Sequence, residues 1–355
     1  MNKFLKSDLA WSRSKCPGFN TAVLKDRFKN IQWPVWKKAC VCEVTINSAC
    51  NSKCRFCYIP PGVEAHTADA SFEAVCRALY TGRRKGAWLA AVIGGEPTLR
   101  ADAGRIAAFA RKAGYACVKL CTNGLALADR NYAAHMAESG FNMIDISLHG
   151  IRPEIHDALV GVPGAFKKVM RAMDNVKSLG LELGTNQVVN RLNYITFPDF
   201  FHFALRDLGI NCFNIIYSNY RGMMALNADD LKVKVSLVAP YIKLGLREYE
   251  DGGFPAFSRV LVNFQPCLLP EYRHLMADWR VSSEQTGEYL LLPDGQSVNM
   301  HSMKDKQKRK PRKCASCVIF SHCRGIDRDY LELFGGLEFK PLKRLPPLAK
   351  VKLFL

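Results

Sequence analysis

Three cysteines in the run CNSKCRFCY, Cys50, Cys54 and Cys57, have the spacing C-x3-C-x2-C. A structural tetrahedral zinc or a fully ligated iron-sulfur cube takes four protein ligands, and this loop supplies three. On a four-iron cube, three thiolates leave one iron with an open position. That open position separates a reactive metal site from a structural one. A zinc loop completed by His66 or Cys42 is the competing assignment. Downstream, Gly94-Gly95-Glu96-Pro97 joins glycines, which admit close backbone approach, to a carboxylate suited to an ammonium. The same four residues also make an ordinary strand-to-helix turn, with proline early in the helix.

The elements that must position these residues follow from periodicity. A strand from Val41 (VCEVTI) runs into the cysteine loop, and Ser71 to Arg83 has helical apolar spacing at Phe72, Val75, Cys76 and Leu79. The pattern then repeats. Strands are predicted at Trp88–Ile93, Tyr115–Cys121, Asn142–Leu148, Leu183–Val189 and Cys212–Tyr217, and helices at Asp102–Ala113, Ala128–Ser139, Ala165–Leu179 and around Phe197–Leu208. Six strands alternating with helices, without hairpin signals between them, predict an α/β fold: a partial (β/α)6 barrel of parallel strands. In such folds chemistry sits on loops at the C-terminal strand ends, where the cysteine loop, the Gly-Gly pair and Thr122-Asn123-Gly124 all fall.

After Asn219 the alternation stops. A helix over Asp229–Tyr249, kinked or broken at Pro240, is expected, then a strand at Ser258–Phe264 and a hairpin over Gly287–Val298 turning at Pro293-Asp294-Gly295. The expected organisation is an N-terminal extension (1–39), the barrel (40–225), a small C-terminal α+β unit (226–336) and a tail (337–355) whose prolines oppose a continuous helix.

Fourteen cysteines spread through 355 residues of otherwise cytosolic composition favour metal ligation over a disulfide scaffold. The start of the chain is charged, and no segment approaches 18 apolar residues, so neither secretion nor a membrane span is expected and the location is read as cytoplasmic. The net charge of +18 favours acidic partners. Lys304–Lys313 (KDKQKRKPRK) concentrates part of it, as a solvated loop or as a steering surface for an acidic partner.

Taken together, C-x3-C-x2-C followed by an aromatic, GGEP after the second strand and the βα repeat resemble the radical S-adenosylmethionine (radical SAM) superfamily over about residues 40–220. The resemblance implies that Cys50, Cys54 and Cys57 bind a [4Fe-4S] cluster whose open iron is chelated by SAM. One electron then cleaves SAM to methionine and a 5'-deoxyadenosyl radical. It also implies SAM contacts by Tyr58 at the adenine, by Gly94, Gly95, Glu96 and Pro97 at the methionyl amine, by Thr122 near the carboxylate, and by Ser147 and Asn190 at the ribose. Ser, Thr and Asn at strand ends are equally ordinary turn formers. His149 and His156 are read as lying in a loop over the barrel mouth, as substrate contacts or as packing residues.

Cys314-x2-Cys317-x5-Cys323, with Cys267 about fifty residues earlier, resembles part of the SPASM and twitch extensions of that superfamily. The resemblance implies one auxiliary [4Fe-4S] cluster, closed by four thiolates; zinc is the alternative. The further cysteines of a full SPASM domain are absent, because Arg324-Gly325 follows and no later cysteine exists. The remaining cysteines, among them Cys117, Cys121 and Cys212, are read as small buried hydrophobes. Hydrogen abstraction from an acidic peptide, in peptide maturation, is the expected activity, with a flavodoxin or ferredoxin as electron donor. A nucleotide or other small-molecule substrate is the alternative, and a cluster-bearing electron carrier without SAM chemistry is the reading from another class. No RNA-binding module is recognisable.

Overall fold

The computed structural model describes residues 41–60, 69–210, 212–254, 256, 260–277, 279, 289–291 and 297–351. The N-terminal extension, His66 and the Pro293-Asp294-Gly295 turn lie outside the described residues.

Strands β1 (Val41–Thr45), β2 (Leu89–Ile93), β3 (Cys117–Thr122), β4 (Met143–Ser147), β5 (Glu182–Val189), β6 (Cys212–Tyr217) and β7 (Leu261–Val262) pair in sequence order, all parallel, in a curled half-barrel. The six expected strands are present, and of the strand expected over Ser258–Phe264 the described residues form β7 at Leu261–Val262. The hairpin forms from β8 (Tyr289–Leu291) and β9 (Ser297–Asn299), which are antiparallel. It adds to the barrel sheet, because β8 pairs in parallel with β1. The sheet therefore has nine strands, with the hairpin at the β1 edge.

Helices cover the outer face. The helix Phe72–Arg84 starts at Ser71, whose hydroxyl accepts from Ala74 N at 3.1 Å, and it lays Val75, Leu79 and Gly82 on the sheet. Gly82 is needed there, since a Cβ would come within 2.6 Å of Cys42 Sγ. β1 accordingly buries Cys42 and Val44 toward the helices and leaves Val41, Glu43 and Thr45 half-buried on the inner face. Farther along the sheet, Phe197, Phe200, Phe201, Phe213 and Tyr249 interlock almost fully buried, with Phe201 and Phe213 ring centroids 5.2 Å apart at 81°. Edge-to-face pairs of this kind add to the stabilisation from area alone.

Three expectations change. The segment after Gly150 forms a helix, Pro153–Val160, begun by Pro153 and ended by Gly161 in a left-handed conformation, so it is not an open loop. The helix expected over Asp229–Tyr249 is two, Ala228–Leu231 and Val235–Gly252, and the second runs unbroken through Pro240, its sixth residue, which has no N–H to give Ser236 O. The segment after Gly336 packs instead of trailing: Phe339 is buried, and its ring lies 5.4 Å from Tyr330. Tyr330 also meets Tyr217 at the end of β6, and Arg221 pairs with Asp329 at 2.5 Å.

Candidate active site

The cysteine loop leaves β1 and is stitched to its neighbours by backbone. Gly95 N donates to Asn47 O at 2.9 Å and Glu96 N to Ala49 O at 2.8 Å. Lys53 N and Arg55 N donate to Val160 O and Leu159 O, each at 2.9 Å, at the end of the Pro153–Val160 helix. Met224 N reaches Cys57 O at 3.1 Å. The two glycines of GGEP make this approach possible. A Cβ on Gly95 would lie 2.3 Å from Ser48 O, and one on Gly94 would lie 2.0 Å from Asn47 Oδ1.

The loop gathers the three thiols. Burial pushes the Cys54 thiol up to about 12, and the charges of Cys50 and Cys57 add to it, so the three are electrostatic neighbours. Cys50 Sγ accepts from Ser52 N at 3.4 Å. Cys42 is not a fourth ligand: its Sγ faces the helix layer and donates to Ala78 O at 3.7 Å. Beneath the loop, Phe56 lies on His149, with ring centroids 4.4 Å apart. His149 Nδ1 accepts from Val188 N, and His156 Nδ1 accepts from His149 N, both at 3.2 Å. Both imidazoles are buried and held neutral by that burial, His156 at about 4. They support the loop from below and do not line the mouth.

The strand-end residues divide by what their side chains already do. Glu96 is buried; its Oε1 accepts from Thr98 N, Thr98 Oγ1 and Thr122 Oγ1 at 3.1, 2.7 and 2.7 Å, and its Oε2 accepts from Asn123 N at 2.7 Å. Thr122 is thereby a partner of Glu96, and Pro97 opens the short helix that follows. Asn190 is buried in its own turn, with Oδ1 accepting from Leu192 N and Nδ2 donating to Val188 O. Ser147 is half-buried on the inner face, in register with Asn186, and Tyr58 is 62% exposed. The buried acceptor without a donor in this region is Asn47 Oδ1, against Gly94.

Periodicity had not singled out Asn47, Asn51, Ser52 and Asn123. Asn123 Nδ2 donates to Asn51 Oδ1 at 2.7 Å and Ser52 Oγ at 3.0 Å, tying the third strand's turn to the cysteine loop. Nor had it singled out the inner-face pair Lys119 and Asp145, 2.9 Å apart. Paired residues of a parallel sheet share a face, so the register aligns Glu43, Ala91 and Lys119, and likewise Cys121, Asp145, Gly184 and Cys212. Cys121 and Cys212 thus flank a buried ion pair inside the half-barrel, where an apolar filling is the usual arrangement. Gly184 makes room for it, because a Cβ there would lie 2.1 Å from Asp145 Oδ1.

The second cysteine set also converges. Cys267, Cys314, Cys317 and Cys323 line one cavity, closed on another side by Phe339 and Pro341. Burial raises Cys267 to about 12, and the charges of Cys323, Cys314 and Cys317 add to it. Backbone N–H groups point at two of the sulfurs: Leu342 N to Cys317 Sγ and Gly325 N to Cys323 Sγ, both at 3.3 Å. Among the described residues, no three His, Cys, Asp or Glu side chains converge on one point as a single metal ion requires.

Residues 44–204 match the radical SAM superfamily. The chain is 32% identical over 219 residues to the Fe-coproporphyrin III synthase of Methanosarcina barkeri, covering 58% of this chain and 51% of that protein. It is 32% identical over 163 residues to a probable GTP 3',8-cyclase of Sulfolobus acidocaldarius, covering 46% of this chain and 51% of that protein. The chain thus spans about half the length of the curated relatives it matches. Its fold is similar to that of Streptococcus suis SuiB bound to the precursor peptide SuiA, with a TM-score of 0.60 at 16% identity over 90% of this chain and 77% of that one. It is likewise similar to anSMEcpe bound to AdoMet and the Cp18Cys peptide, with a TM-score of 0.57 at 16% identity over 86% of this chain and 93% of that one. A half-barrel of parallel strands, three thiols on the loop after its first strand and the sequence match lead to one assignment: residues 44–204 form a radical SAM domain.

Proposed function

We propose that this radical SAM enzyme holds a [4Fe-4S] cluster on Cys50, Cys54 and Cys57 and a second, auxiliary one on Cys267, Cys314, Cys317 and Cys323, and that it matures a peptide by abstracting hydrogen from it. When loaded, the first cluster supplies the electron that cleaves SAM to a 5'-deoxyadenosyl radical. The observation that carries the reading is the loop itself, with three neighbouring thiols, Cys42 turned away from them, and backbone ties to the GGEP turn.

The chain's own groups have distinct tasks. Asn47 Oδ1 is the buried acceptor available to the methionyl ammonium, while Glu96 braces Thr98, Thr122 and Asn123 and keeps lone-pair capacity on Oε2. Ser147 offers a hydroxyl on the inner face for the ribose, and Tyr58 an aromatic surface for the adenine. Thr122 and Asn190 act by shaping the strand-end turns. Four thiols around a cavity, with N–H groups aimed at two sulfurs, support a closed iron-sulfur site in preference to a single zinc ion.

The net charge of +18 supports an acidic peptide as substrate. The relatives named as an Fe-coproporphyrin III synthase and a GTP 3',8-cyclase favour a second reading, an anionic small molecule. The test is anaerobic reconstitution with SAM and dithionite, measuring 5'-deoxyadenosine alone and with acidic peptides, an iron coproporphyrin or GTP. Stimulation by the peptides supports maturation, stimulation only by a small molecule supports the second reading, and no 5'-deoxyadenosine from cluster-intact protein overturns both.

A further inference from the structure

The basic run Lys304–Lys313 is ordered by the second cysteine site. Lys308 is buried and pairs with Asp327 at 3.2 Å, where its strand Lys308–Arg309 meets Ile326–Asp327. Lys310 Nζ donates to Phe320 O at 2.5 Å and lies 4.3 Å from the Phe320 ring. Lys313 Nζ donates to Gly336 O at 2.5 Å, beside Leu337. Across the same cysteine loop, Val318 N donates to Leu342 O at 3.0 Å, and the following Lys343 extends Nζ to Ser316 Oγ at 3.4 Å.

These contacts gather an uncommon surface. Val318, Phe320 and Leu337 are 50%, 43% and 90% exposed; Lys310 lies over Phe320, Lys313 reaches Leu337 O, Lys340 lines the same cavity as Phe320, and Lys343 reaches Ser316, two residues from Val318. Most acids of this segment are paired, Asp305 with Arg324, Asp327 with Lys308, Asp329 with Arg221, and Glu338 with Tyr330 and Ser236 N, while Glu332 is exposed on the helix Arg328–Phe334. An apolar centre within a cationic rim is the anatomy of a small, transient interface. The rim steers a partner of opposite charge and the centre holds it briefly. Cys314, Cys317 and Cys323 lie only part-buried beneath it.

We propose that this surface docks an acidic one-electron carrier protein, bringing its redox centre against the Cys314–Cys323 loop. The choice of occupant rests on the reading of the four cysteines as a cluster site, since a carrier gains nothing by docking over a structural zinc.

The test uses the reconstituted full chain and an oxidised, acidic [2Fe-2S] ferredoxin as probe, with binding read by fluorescence anisotropy and no turnover required. Raising the ionic strength from about 10 mM to about 150 mM shortens the screening length from about 30 to about 8 Å and should weaken binding strongly. Lys340→Glu/Lys343→Glu reverses two exposed rim charges that make no ion pair among the described residues, and binding should fall on the order of tenfold or more. Leu337→Ser should weaken it at both salt concentrations, whereas Lys168→Glu, on an exposed face of the helix Ala165–Ser178, should not. The proposal is overturned if the double variant binds like the parent, if Lys168→Glu weakens binding equally, or if an extended polyglutamate peptide of equal charge competes as well as ferredoxin does. Iron content tests the underlying reading separately. About eight irons with unchanged binding rejects the docking surface alone, and about four irons rejects the auxiliary cluster.

Discussion

Removing Lys119 while leaving Asp145 is the sharpest perturbation of the barrel interior. Asp145 is 1% exposed, and apart from its 2.9 Å contact with Lys119 neither oxygen accepts a hydrogen bond. Burial opposes the Lys119 charge, yet the Asp145 carboxylate beside it holds the ammonium well above its ordinary range. Lys119→Met therefore strands a carboxylate in a site that Gly184 shapes closely around it. Breaking a buried pair from one side costs about 3–5 kcal/mol. The double variant Lys119→Met/Asp145→Asn keeps the shape and removes the charge, leaving an amide penalty of about 1–3 kcal/mol. Equilibrium urea unfolding of parent, single and double variants reads the difference as shifts in midpoint at constant slope. The expected order is parent, then double, then single, with the double at least about 1 kcal/mol more stable than the single. A single variant within about 0.5 kcal/mol of the parent, or a double no more stable than the single, would refute the account of Asp145 as a charge dependent on Lys119.

Three further outcomes follow from the same geometry. Changing Cys50, Cys54 and Cys57 together to Ala should leave about four irons per chain, since the two cysteine sets are separately built; loss of all iron in an iron assay contradicts this. Gly95→Ala places a Cβ 2.3 Å from Ser48 O and 2.4 Å from Ala49 O, both backbone atoms, so the cysteine loop must shift at a cost of about 1–3 kcal/mol. The expected readout is loss of SAM cleavage with iron at Cys267, Cys314, Cys317 and Cys323 retained. His156 is depressed to about 4 from an ordinary 6.5, chiefly by burial, so its contribution is complete above pH 6.5 and is lost as pH falls toward 4. The parent should lose about 3 kcal/mol across that window beyond what His156→Gln loses, measured as urea midpoints at pH 7 and pH 4; parallel pH profiles would speak against it.

What the sequence made legible was whatever repeats with a fixed period. All six barrel strands and the helices between them lie where alternation and helical spacing put them, within two or three residues, whereas the helix expected from Asp229 begins at Val235 after a separate helical turn. The helix Pro153–Val160 was legible in principle, because Pro153 at its start and Gly161 at its stop are eight residues apart. The His149–His156 stretch obscured it. The inner-face pair was written in period two, Lys119 within VKL and Asp145 within DIS, but reading those strands as apolar runs smoothed it away. The ties of Asn47 and Asn123 had no local signal. Each bonds a loop that is distant in sequence, and only closure of the sheet defines the partner. For the same reason the β8–β9 hairpin was found while its place beside β1 was not.

The two cysteine sites differ in what fixes them, and that difference bears on their chemistry. At the second site, ligands are bracketed by their own run and by the Phe339–Leu342 segment, which supplies an N–H to Cys317 and walls the cavity. Those contacts gather around four thiols, as the proposed closed site requires. At the first site the thiols contribute little to the loop's shape. Backbone bonds from Gly95, Glu96 and Met224, the carbonyls of Leu159 and Val160, and the Phe56–His149 contact hold it from several directions. A loop held by its surroundings need not use a fourth protein ligand to define its geometry. It can keep a coordination position open without paying for it in order, which is what positioning an incoming ligand requires. The glycines of GGEP belong to this construction first: they let the second strand's turn press against the cysteine loop. In doing so they leave Asn47 Oδ1 buried beside Gly94 without a donor among the described residues, the acceptor proposed above for the methionyl ammonium.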